Sequence, residues 1–126
     1  MARALARAGH ECAPSGADAA VQICDRDVAG RATVVLVYAA PMAHAASHYR
    51  RKPDTTCAEA VPVINRLNLA VDGVKLVCVE DRVTFVTSFL VPANGLSPAS
   101  FVEHTERFQG QIKLLLREGD LLPMLE

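Results

Sequence analysis

At 126 residues the chain fits one domain, read here as residues 1–126, and that length buries roughly 68% of its unfolded surface without staples. Hydrophobic residues make up 51% of the chain and the net charge is −1, which excludes disorder and lacks the basic excess of a nucleic-acid binder. No apolar run reaches the length of a membrane span, and the segment Met1–Gly9, with Arg3 and Arg7 and no apolar stretch, does not read as a signal peptide.

Residues 2–8 predict a short helix ended by Gly9. Cys12–Ala17, with Pro14, Ser15 and Gly16, reads as loop. Ala20–Cys24 alternates and predicts a strand, Asp25–Gly30 a turn, and the β-branched run Thr33–Tyr38 a central strand pairing with the first. After Pro41, Met42–Arg51 is a third strand candidate, with a helix as the alternative because of its alanines. As a strand it places Met42, His44, Ala46, His48 and Arg50 on one face and Ala43, Ala45, Ser47 and Tyr49 on the other. Arg50-Arg51-Lys52 is the densest basic cluster and reads as a solvated strand end.

Thr56 and Glu59 form a capping-box pattern for a helix to about Asn68, with Cys57, Val61, Ile64 and Leu67 on one face. Pro62 predicts a kink or a later start near residue 60. Asp72–Gly73 turns the chain into a hairpin, Val74–Val79 and Arg82–Val91, around Glu80-Asp81. Val83, Phe85, Thr87, Phe89 and Val91 share one of its faces. Pro92–Gly95 is loop. Ser97 as N-cap and Pro98 at the first position open a last helix that runs to about Glu118 and stops at Gly119. Phe101, Thr105, Phe108, Ile112 and Leu115 form its apolar stripe, widened by Leu116. The apolar tail (Leu121, Leu122, Met124, Leu125) should dock on its own domain or on a partner. The order αβββαββα implies an α+β fold, an antiparallel sheet with helices on one face.

The order and local motifs resemble the YbjN family, related in fold to the type III secretion chaperones. The matching stretches are Ala4-Leu5-Ala6-Arg7-Ala8-Gly9, Ile64-Asn65-Arg66-Leu67-Asn68 and Leu96-Ser97-Pro98-Ala99-Ser100-Phe101, spread over nearly the whole chain. The resemblance implies a chaperone-like domain, frequent dimerisation, a role in binding or regulating other proteins and no established catalytic site. Asn65 and Asn68 match the Asn-x-x-Asn that ends the family's middle helix; asparagine tolerates helix ends, so a structural role is expected of them. Departures are Pro62 and the short first helix.

Catalytic and metal signatures are weak. His44 and His48 stand four apart without the Glu of His-Glu-x-x-His or a third ligand nearby, so surface histidines are the expected reading. Ser47, His48 and Ser88 lack a nucleophile elbow. Cys12, Cys24, Cys57 and Cys78 form no Cys-x-x-Cys and read as reduced thiols in a cytoplasmic protein. Cys57, at a helix start, is the thiol whose reactivity merits a test. No cofactor and no enzyme activity are expected. The expected function is a homodimeric, non-catalytic protein-binding module: a chaperone-like or regulatory adaptor for an unknown protein client, touching neither nucleic acid nor membrane. Tyr38, Tyr49, Phe85 and Phe89 are its candidate partner contacts. The alternative is a small-molecule sensor or enzyme with a pocket between the sheet and the last helix, which His44, His48 or Asn68 would line.

Overall fold

The computed structural model describes residue 7 and residues 9–15, 18–24, 34–39, 41–91, 97–118 and 120–126. Among them run β1 (Cys12–Ser15), β2 (Asp18–Cys24), β3 (Val34–Ala39), β4 (Met42–Arg50), α1 (Cys57–Ala70), β5 (Lys75–Val79), β6 (Arg82–Leu90), α2 (Pro98–Glu118) and a 3-10 turn, η1 (Leu122–Met124). The strands form one six-stranded antiparallel sheet in the order β1-β2-β3-β4-β6-β5. The α+β class holds, with one strand more than the sequence predicts. The predicted helix at 2–8 lies outside the described residues except Arg7, which is helical; Gly9 follows at φ 94, a conformation that favours glycine. The predicted turn at 25–30, the loop at 92–95 and Gly119 also fall outside the described residues.

The segment read as a loop from Cys12 is instead β1 as far as Ser15, with an irregularity between Pro14 and Ser15. A proline is tolerated there because β1 is an edge strand, where a missing N–H breaks no ladder on its outer side. β4 keeps the alternation expected of it. Ala43, Ala45 and Ser47 are buried, whereas His44 and Arg50 are exposed, and the helical alternative is excluded.

α1 begins at Cys57, not near residue 60. The Thr56 hydroxyl accepts the Glu59 N–H at 3.2 Å, and the helix continues through Pro62 to Ala70. Its buried face is Ala60, Ile64 and Leu67, while Val61 is 44% exposed. Ile64 and Leu67 are buried as expected, and Ala60 takes the place expected of Val61. The β5–β6 hairpin turns on Glu80-Asp81, with Glu80 at φ 55.

α2 follows its sequence pattern closely. Ser97 Oγ accepts the Ser100 N–H at 3.2 Å, and Phe101, Thr105, Phe108, Ile112 and Leu115 are all buried. The Thr105 hydroxyl, inside that apolar stripe, donates to the Phe101 carbonyl at 3.0 Å, which removes the cost of burying it. The tail docks on its own domain: Leu121 and Leu125 are buried, Leu125 bridges Arg51, and the Lys52 N–H donates to the Met124 carbonyl at 2.8 Å. Both helices, the tail and the inner residues of β4, β5 and β6 share one core, so the helices cover one face of the sheet.

All four cysteines are paired, which corrects their reading as reduced thiols. Cys12 joins Cys24 and Cys57 joins Cys78. The β1–β2 register sets Cys12 opposite Cys24, and packing of α1 on β5 brings Cys57 to Cys78. Neither juxtaposition is visible in the spacing of the cysteines along the chain.

Candidate functional site

The face of the sheet away from the helices carries alternate residues of three adjacent strands. From β5 come Lys75, Val77 and Val79, from β6 Arg82, Thr84, Val86, Ser88 and Leu90, and from β4 Met42, His44, Ala46, His48 and Arg50. Leu90 is 71% exposed, Val79 56% and Val77 44%. The β4–β6 register sets each histidine opposite a hydroxyl. His44 Nδ1 lies 2.8 Å from Ser88 Oγ, and His48 Nδ1 lies 2.9 Å from Thr84 Oγ1. Partial burial, reinforced by the charge of Arg82, pushes the His48 pKa below its ordinary value.

The strand conformation separates the two histidines by about 13 Å, four residues of rise, so they cannot share a metal ion. No cluster of three or more His, Cys, Asp or Glu able to hold a metal occurs among the described residues. Ser47 is fully buried and faces away from His48, so that pair of sequence neighbours cannot react together. Cys57 is in a disulfide and carries no free thiol.

The candidate contact residues fall in different places. Phe85 is fully buried, which removes it from any surface; it stands in the core because it lies on the helix-covered side of β6. Tyr49 packs edge-on against it with centroids 5.5 Å apart. Phe89 is half-buried and stacks on His104 at 4.5 Å. Tyr38 lies opposite Ala43 in the β3–β4 register, and its side chain is outside the described residues. Asn65 is exposed on α1. Asn68 sits in the last turn and reaches the outer edge of β5. Its amide donates to the Leu76 carbonyl at 3.1 Å and accepts the Leu76 N–H at 2.8 Å. It thereby occupies both outward backbone groups of that rung and shields the edge from strand addition.

A cleft of about 280 Å³ opens between β6, α2 and the turn at Asp72–Gly73. It sits where the sequence alternative puts a pocket, but His44, His48 and Asn68 do not line it. Besides Thr87 and Ser88 of β6, its polar side chains are Arg107, Gln111, His104 and Asp72. Sequence reasoning missed these, and also Val77, Val79 and Leu90. The latter three are legible as the outward phase of their strands, whereas the cleft residues are brought together only by packing of α2 against β6.

No family model and no curated protein matches the chain. Among solved structures, the crystal structure of YbjN from E. coli, presented as a candidate transcription regulator, superposes with a TM-score of 0.75. The match covers 98% of this chain and 91% of that one at 13% sequence identity, a level at which the likeness speaks for the fold. The resemblance read from the sequence therefore holds where structure tests it: the chain has the YbjN fold.

Proposed function

We propose that the chain is a non-catalytic protein-binding module, a regulatory or chaperone-like adaptor that works as a homodimer. The observation that carries this is the uncovered sheet face, where Val77, Val79 and Leu90 lie exposed on the same face as two hydrogen-bonded histidine rungs. Scattered exposed apolar residues are ordinary; here Val77 and Val79 are adjacent outward residues of β5 near Arg50 and Arg82, and Leu90 extends the same face at the far end of β6, a spread that suits a broad interface. The likeness to a protein presented as a regulator supports the same reading at the level of fold.

Light scattering tests it. The expected mass is about twice 13.5 kDa, and Val79→Glu combined with Leu90→Glu should return the monomer with its fold intact. A wild-type monomer at high concentration would count against the dimer. A cytoplasmic location, expected from the sequence, stands against the two disulfides, which persist in oxidising compartments. Thiol titration of the protein from its native source decides between them.

A further inference from the structure

The two sheet neighbours of β6 differ in length. The last rung with β5 joins Lys75 to Val86, whereas β6 continues to Leu90 alongside β4. The hairpin closes on Val79 and Arg82, so the even-numbered residues of β6 turn their backbone N–H and C=O toward β5. The odd-numbered ones turn toward β4, in keeping with the bond from the Val91 N–H to the Pro41 carbonyl. Among the described residues, Ser88 is therefore an open rung of sheet edge beyond the end of β5, and no side-chain amide of those residues is laid across it as Asn68 is across Leu76.

That rung opens into the cleft. Phe89 and Phe108 give it an apolar wall, stiffened by His104 stacked on Phe89. The Thr87 hydroxyl donates to the Gly73 carbonyl at 2.7 Å and ties down the turn on the far side. Arg107 supplies the cationic rim and is held by Glu103 at 2.8 Å in an exposed i,i+4 pair. Such a pair contributes under about 1 kcal/mol, so a stronger carboxylate can displace Glu103. Asp72 stands on the other rim.

We propose that this cleft binds the free C-terminus of an extended peptide whose last residue is apolar. The peptide backbone pairs with Ser88, its terminal side chain packs on the half-exposed Phe89, and its carboxylate takes the Arg107 guanidinium. The volume, equal to roughly nine waters at about 30 Å³ each, suits the last residue or two of a chain. The proposal rests on the reading of the protein as a protein-binding module and concerns the α2 side of β6, which adjoins the open face at Ser88.

The test is fluorescence anisotropy with an N-terminally labelled Gly-Ala-Val-Leu peptide bearing a free carboxylate. Saturable binding is expected with Kd below about 1 mM. The C-terminal amide of the same peptide should bind about ten- to a hundredfold more weakly, as should the free acid to Arg107→Gln. Glu103→Gln, which releases Arg107, should tighten binding about two- to fivefold. Both side chains are exposed, and circular dichroism verifies that the variants fold. Equal binding of acid and amide, an unchanged Arg107→Gln, or no saturation would overturn the proposal. The Val79→Glu variant, altered about 20 Å along the sheet from Ser88, should bind the peptide as wild type does, so loss of the dimer and loss of peptide binding are read independently.

Discussion

At the scale of single residues, Asn68 shows how one side chain can protect a sheet edge. Its amide imitates a neighbouring strand at Leu76, with one donor and one acceptor in register. Asn68→Ala leaves both backbone groups of a half-covered rung without their protein partner and should cost about 1–3 kcal/mol in denaturant unfolding. Asn65→Ala, on the exposed side of the same helix, should change stability by less than about 0.5 kcal/mol. The family motif thus divides into one residue with a structural bond and one without. His48 offers a second residue-scale test. Its pKa is lowered in the folded state by partial burial and Arg82, so the unfolded chain takes up the proton first. The stabilisation is complete above the ordinary histidine value of about 6.5 and is lost as pH falls through the lower folded value. The melting temperature of wild type should fall more between pH 8 and pH 5 than that of His48→Gln, which keeps a polar partner for Thr84 and does not titrate. Parallel curves for the two proteins would show that His48 is not a source of the pH dependence.

At the scale of elements, α2 bears most of the helical contribution to the core through a single stripe. Phe108→Ala, which removes a ring that is 2% exposed, should cost about 3–5 kcal/mol, whereas Leu114→Ala, at 40% exposure on the other side, should cost about 1 kcal/mol or less. This helix was legible because every sequence signal agrees: a serine cap, a proline at the first position and a sustained 3.6-residue period. β4 was legible for a similar reason, since its alternation survives even with alanines. β1 was not legible, because Pro14, Ser15 and Gly16 have turn chemistry and only pairing with β2 makes the segment a strand. On α1 the one misplaced position is Val61: it is the more apolar residue, but Ala60 beside it is the one fully buried. The candidate sites divide along the same line. The outward phase of β4 and β6 follows from a period of two, whereas the cleft depends on where β5 ends and how α2 lies, which no local pattern encodes.

At the scale of the molecule, the two disulfides decide how the fold depends on its surroundings. Each closes a short loop, with sequence separations of 12 and 21. Chain-entropy arguments give about 3 kcal/mol of stabilisation for each, through restriction of the unfolded chain. A domain of 126 residues is expected to hold about 6–19 kcal/mol in total, so the bridges form a substantial part of the margin without being its whole source. The core extends well beyond them: α1, α2, the tail and residues of β2, β4, β5 and β6 meet in one apolar cluster. Reduction with dithiothreitol should therefore lower the denaturant midpoint and the melting temperature while leaving the far-ultraviolet spectrum of the native sheet and helices unchanged. Cys57→Ser with Cys78→Ser should reproduce the larger share of the loss, because that pair closes the longer loop and fastens α1 to the edge strand it covers. If the reduced protein melts at the same temperature as the oxidised one, the bridges do not constrain its unfolded state, and the original expectation of a chain at home in a reducing compartment regains its force. If the midpoint drops as expected, the protein gains several kcal/mol from an oxidising environment, and partners for the open face and the cleft should be sought there.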